Sequence, residues 1–119
     1  ATVRVCHLDL SSLESVKRCA AELPNKIDVL VLNAGVNTNV PTRQHPDVSC
    51  SMVFGVNFVA HWLLVETLIK LGKGLGRVVC VSSVMHHLAD ETKFFDGTAD
   101  YNESKLAMIL YARALTARG

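Results

Sequence analysis

The stretch IDVLVLNAG, residues 27–35, is an apolar run closed by Asn-Ala-Gly. A run of this kind suits a strand covered on both faces, as in a parallel sheet. Its neighbours extend the pattern. TVRVCHLDL, 2–10, is β-branched and apolar and predicts a first strand. Ser11 or Ser12 offers an N-cap to a helix holding Glu14 and Glu22, which Pro24 ends. Residues 36–49, with two prolines and several Asn, Thr and Asp, predict a loop. A long apolar helix follows over 50–71, then a glycine-rich stop, GKGLG, at 72–76. RVVCVSSV, 77–84, predicts a third strand, 85–98 a loop, and 99–117 a helix with apolar residues at 106, 109, 110 and 114. The order β-α-β-loop-α-β-loop-α predicts an α/β fold with a parallel sheet and right-handed crossovers.

Bulk properties exclude several classes. With 119 residues, half of them hydrophobic, the chain is long enough for one small domain and can bury a core. The net charge is +1 and no basic stripe exists to follow a phosphate backbone, which argues against nucleic acid. Cys6, Cys19, Cys50 and Cys80 show no zinc-site spacing. They fit reduced thiols in a reducing compartment, cytoplasmic or in an organelle lumen. His86 and His87 are adjacent, so on a regular element they point apart, and no metal site is expected. No signal-peptide pattern opens the sequence. The stretch 52–72 is long enough to test as a membrane span, but it carries Asn57, His61, Glu66 and Lys70. A buried helix of a soluble protein fits it better.

In open parallel sheets, ligands bind beyond the carboxyl ends of the strands. The polar residues of this chain gather there: Asp9, then Asn33-Ala34-Gly35, then Ser82-Ser83. Tyr101 and Lys105 follow on the next helix. Singly, Asp9 could be a helix cap, Asn-Ala-Gly a turn, Ser-Ser a strand terminus and YNESK a surface pair. Tyr101 and Lys105 are four apart and share a helix face. An ammonium group there would stabilise a phenolate and fit Tyr101 for general acid–base work.

Taken together, LDL (8–10), LNAG (32–35), VNFVAHWLL (56–64), RVVCVSS (77–83) and YNESKLAMILYARAL (101–115) resemble the short-chain dehydrogenases/reductases. The phrases VSSVMHH and SKLAMIL are most similar to the retinol-dehydrogenase-like branch. The resemblance implies a Rossmann-like doubly wound parallel sheet and hydride transfer between NAD(P)(H) and an alcohol or carbonyl. It implies NADP ahead of NAD, and a small lipophilic substrate. Tyr101 matches the catalytic tyrosine. Lys105 matches the lysine that favours the ionised phenol and holds the nicotinamide ribose. Ser83 matches the serine that bonds the reacting oxygen, and Asn57 the asparagine near a water relay to the lysine. Asn33, Ala34 and Gly35 match the segment against the cofactor's adenosine half. Gly35 also has a physical reason to be glycine, since a missing Cβ allows close backbone approach. Asp9 matches the acid on the adenine amino group, with Leu10 beside it.

The match also has gaps. The glycine-rich phosphate loop and the final strands are absent, so residues 1–119 are expected to be the middle of a single NAD(P)-binding domain. GKGLG follows a helix and precedes a strand, the wrong context for a phosphate cradle. Leu32 stands where many members have a second asparagine. Ser83 and Tyr101 lie 18 positions apart, a short interval for the retinol-dehydrogenase-like branch. Two other readings use the same residues: a sugar-nucleotide epimerase or dehydratase, and a catalytically idle relative serving as a structural or regulatory subunit. In the enzyme reading, the helices over 50–71 and 99–117 are expected to form a homodimer interface. A larger assembly suits the idle relative, and a membrane anchor or targeting segment would lie outside these residues.

Overall fold

The computed structural model describes residues 2–37 and 43–119. Helix α1 spans Leu13–Glu22, strand β1 Lys26–Leu32, and helix α2 Met52–Phe54. A π-helical turn, Gly55–Val59, joins α2 without a break to α3, Ala60–Lys70. Strand β2 is Gly74–Cys80, followed by a 3-10 turn over Val84–Leu88. A short helix α4, Lys93–Asp96, and a long α5, Tyr101–Arg118, complete the order.

β1 and β2 pair in parallel, with Ile27 opposite Leu75 and Leu32 opposite Cys80. Helices α1, α3 and α5 all feed one core. Val16 and Ala20 meet Leu64, Val65 and Leu68, and Met108 and Tyr111 close the cluster over Leu32. The apolar stretch Met52–Lys70 is long and apolar enough to cross a membrane by length and composition. Here it turns Ala60, Leu64, Val65 and Leu68 into that core.

Five sequence expectations change. Residues 2–9 carry no regular secondary structure and belong to no strand among the described residues. Val3 and Val5 are 90% and 97% exposed. Propensity makes a segment ready for a sheet, but only a hydrogen-bonded neighbour makes it a strand. Among the described residues the two-stranded sheet is covered on one face: Leu30 and Leu32 meet the helices, whereas Val29 and Val31 are about half exposed. The glycine-rich stop is shorter than expected. Gly74 and Gly76 lie inside β2, because a Cβ on Gly76 would stand 2.6 Å from the Asp28 carbonyl oxygen. Finally, the loop 85–98 contains the end of the 3-10 turn and α4. The rings of His86 and His87 do not point apart but stack at 3.9 Å. Part of the predicted loop 36–49 lies outside the described residues.

The ends of the elements are fixed by side chains from elsewhere. Ser12 caps α1, its hydroxyl accepting from the Ser15 N–H at 3.2 Å. Asp47 Oδ2 accepts the Leu13 N–H at 2.9 Å, adding a carboxylate at the positive end of the same helix. At the other end, α1 has no basic residue in its last turn. Lys73 supplies the charge from the turn before β2, donating to the carbonyls of Ala20 (2.8 Å), Ala21 (2.9 Å) and Leu23. Replacing Lys73 with Met keeps the alkyl stem and removes all three bonds. The expected loss is about 1–2 kcal/mol of stability, read as a lower urea midpoint with unchanged slope.

Candidate active site

Asn57 sits at the centre of the π turn and is 1% exposed. π turns occur often at functional positions, where the extra residue re-aims a side chain. Here the Asn57 amide reads the backbone after β1 from both sides. Its Oδ1 accepts from the Val36 N–H at 2.7 Å, and its Nδ2 donates to the Val36 carbonyl at 2.9 Å. Nδ2 also reaches Ser104 Oγ at 3.3 Å, and Ser104 donates to the Tyr101 carbonyl at 2.6 Å. One amide therefore links the β1 end to the first turn of α5.

Lys105, one turn into α5, is only 7% exposed. Among the described residues its ammonium has neither a hydrogen bond nor a carboxylate within 4.0 Å. It lies 5.5 Å from the centre of the Tyr101 ring. A Cβ placed on Gly35 would stand 3.6 Å from Lys105 Nζ and 3.1 Å from Asn57 Oδ1. Gly35, Asn57 and Lys105 therefore surround one small space that a side chain at position 35 would fill. That space is bordered by a phenol and by a backbone without a Cβ.

The start of α5 is held firmly. Asp100 and Glu103 form a capping box. Glu103 Oε1 accepts the Asp100 N–H at 3.0 Å, and its Oε2 accepts the Asp90 N–H at 3.1 Å. The loop before α5 is thus tied to the helix at the residue beside Tyr101. Ser82 donates to the Lys105 carbonyl at 2.6 Å. Ser83 caps the 3-10 turn, its hydroxyl accepting from the Met85 N–H at 3.2 Å. That turn packs against α5, so Ser83 and Tyr101 stand on neighbouring elements. They share no hydrogen bond among the described residues.

The remaining expected residues lie along the same edge. Asn33, Ala34 and Gly35 are exposed after β1. Asp9 is exposed, and Oδ1 takes both the N–H (2.9 Å) and the hydroxyl (2.6 Å) of Ser11, leaving Oδ2. The Ser11 bonds hold the Asp9 carboxyl below its ordinary range. Leu10 is buried in the core, and its carbonyl accepts from His45 Nε2 at 3.1 Å.

Sequence reasoning did not single out His61 as part of this edge. It lies four residues after Asn57, and its Nε2–H donates to the Ala34 carbonyl at 2.8 Å. Asn57 and His61 therefore grip adjacent parts of the segment 34–36. Burial, and then the charge of Lys105, keep the imidazole below its ordinary pKa, and Nδ1 is buried without a partner among the described residues. The i, i+4 spacing of Asn57 and His61 was the available signal. The second tyrosine, Tyr111, donates to Glu66 at 2.5 Å, and burial followed by that bond pushes its phenol well up. Tyr101 is thus the tyrosine whose hydroxyl has no hydrogen-bond partner among the described residues.

Comparisons with known proteins bear on the family of the chain. The family described as short chain dehydrogenase matches residues 1–118. Human retinol dehydrogenase 13 is 33% identical over 129 residues, covering 98% of this chain and 38% of the relative. Mouse retinol dehydrogenase 14 is 38% identical over 127 residues, covering 96% of this chain and 37% of the relative. Human polyprenol dehydrogenase is 32% identical over 137 residues, with 98% of this chain and 41% of the relative covered. The chain spans about two fifths of the length of the curated relatives it matches.

Proposed function

This chain belongs to the short-chain dehydrogenase family, and from that premise we propose that it forms part of an NAD(P)-dependent oxidoreductase. Its substrate is a lipophilic alcohol or the corresponding carbonyl. The observation that carries the reading is the largely buried Lys105 side chain, whose ammonium stands beside Tyr101 and Gly35 with no hydrogen bond among the described residues. The relatives named for retinol and for polyprenol support this substrate class. NADP is the preferred form, from the likeness to the retinol-dehydrogenase branch.

When bound, the nicotinamide takes up or gives the hydride. Tyr101 moves the proton at the substrate oxygen through its phenol hydroxyl. Lys105 holds the ribose and stabilises negative charge on Tyr101. Ser83 donates to the substrate oxygen as charge develops there. Asn57 and His61 fix the backbone of 34–36, where Gly35 lets the cofactor approach. Asp9 offers Oδ2 to the adenine amino group, and the Leu10 backbone lies next to it. The rest of the dinucleotide site, with the phosphate loop, lies outside residues 1–119. So does the rest of the sheet.

The test is a turnover assay on the full-length protein with NADP or NAD and either retinol or a long-chain polyprenol. One reduced nicotinamide should appear per alcohol oxidised, faster with NADP. Conversion without net cofactor reduction would favour the epimerase class instead. Absence of cofactor binding would favour the idle relative.

A further inference from the structure

Cys6 and Cys19 lie 13 positions apart, on the segment 2–10 and on α1. Their sulfurs are 3.5 Å apart, in van der Waals contact. All four cysteines are free thiols. Cys6 is half-buried and Cys19 is buried. No other described cysteine pair is in contact. The Cys6 thiol also lies 3.5 Å from Glu22 Oε2, so a carboxylate accepts from the more open of the two thiols. At the far end of the segment they would join, Asp9 N–H donates to Ser15 Oγ at 2.9 Å, and Ser12 N–H to the Asp9 carbonyl at 3.0 Å.

We infer that Cys6 and Cys19 are a dithiol pair that closes to a disulfide under an oxidising thiol buffer and staples the segment 2–10 to α1. The sulfurs must close by about 1.5 Å to reach bonding distance. The exchange balances with a low-molecular-weight disulfide such as oxidised glutathione as oxidant. The Cys6 thiolate attacks one glutathione sulfur, and the other glutathione leaves as a thiolate. Cys19 then attacks the Cys6 sulfur of the mixed disulfide and expels the second glutathione. The two thiols give up two electrons and two protons, and two glutathione thiols result. Burial, and then Cys6, raise the Cys19 thiol above its ordinary pKa, with Glu22 acting the same way and Lys73 opposing. Cys6 is therefore the entry point and Cys19 the resolving thiol.

The experiment is equilibration of the full-length protein with oxidised glutathione, followed by alkylation and peptide mass mapping. The expected result is a Cys6–Cys19 linked peptide lacking two hydrogens, with Cys50 and Cys80 still alkylated. The melting temperature of the oxidised protein should rise by about 4 °C or more. Cys19→Ser should hold glutathione on Cys6, and Cys6→Ser should remove the bridge and the thermal gain. Full alkylation of both Cys6 and Cys19, a stable glutathione adduct on wild-type Cys6, or a bridge from either to Cys50 or Cys80 would overturn the pair. The mapping on wild-type protein decides the matter even where a serine variant fails to fold.

Discussion

Replacing Tyr101 with Phe in the full-length protein is expected to lower kcat by about 10²–10⁴-fold and leave cofactor affinity within a factor of about two. The ring keeps its place over Lys105, 5.5 Å from the ammonium. The start of α5 keeps its capping box and its bonds to Asp90 and Asp100. The substitution removes only the hydroxyl. No neighbour can replace it. Tyr111 is bonded to Glu66, and its phenol is held far above the range in which it could trade protons near neutrality. His61 donates from Nε2 to the Ala34 carbonyl and is committed to the loop. Steady-state turnover together with a cofactor-binding titration separates the outcomes. Unchanged turnover would remove Tyr101 from the mechanism, whereas lost binding would make it a structural residue.

Replacing Gly55 with Ala is expected to destabilise the fold by about 2–3 kcal/mol. A Cβ there would stand 2.4 Å from His45 Cδ2 and 2.8 Å from Cγ. The imidazole cannot swing aside cheaply. Its Nε2–H donates to the Leu10 carbonyl at 3.1 Å, and its Nδ1 accepts from the Asp47 N–H at 3.1 Å. Moving the ring would leave buried polar groups unpaired. Asp47 in turn accepts from the first N–H of α1, so the disturbance would spread to that helix. Urea unfolding with circular dichroism measures the loss. An unchanged midpoint would show that the π turn relaxes around the methyl group without cost.

Much of this arrangement was legible in the sequence because local chemistry signals it. A serine before an apolar helix marked the α1 cap. The apolar run before Asn-Ala-Gly marked β1, and a four-residue spacing placed Tyr101 and Lys105 on one face of α5. The illegible parts depend on partners distant along the chain. Residues 2–10 have the composition of a strand, yet pairing is a property of two segments. His45 touches Leu10 and Gly55 from a loop whose sequence gives only turn residues. Lys73 bonds α1 across more than fifty residues, and no spacing rule connects them. The buried carboxylate of Glu103 resembles a surface acid in sequence until both of its oxygens are seen on backbone N–H groups.

The π turn has a consequence for what this chain can tolerate by insertion and deletion. A π turn holds one residue more than the same length of regular helix. Removing one residue between Gly55 and Val59 would let α2 and α3 join as an uninterrupted α-helix. Leu64, Val65 and Leu68 would keep their facing toward the core. The side chain now at position 57 would instead swing by about 100° around the axis, away from Val36 and Ser104. A single-codon deletion at this point would therefore separate two properties that usually fail together: the helix would survive, and the link between β1 and α5 would not.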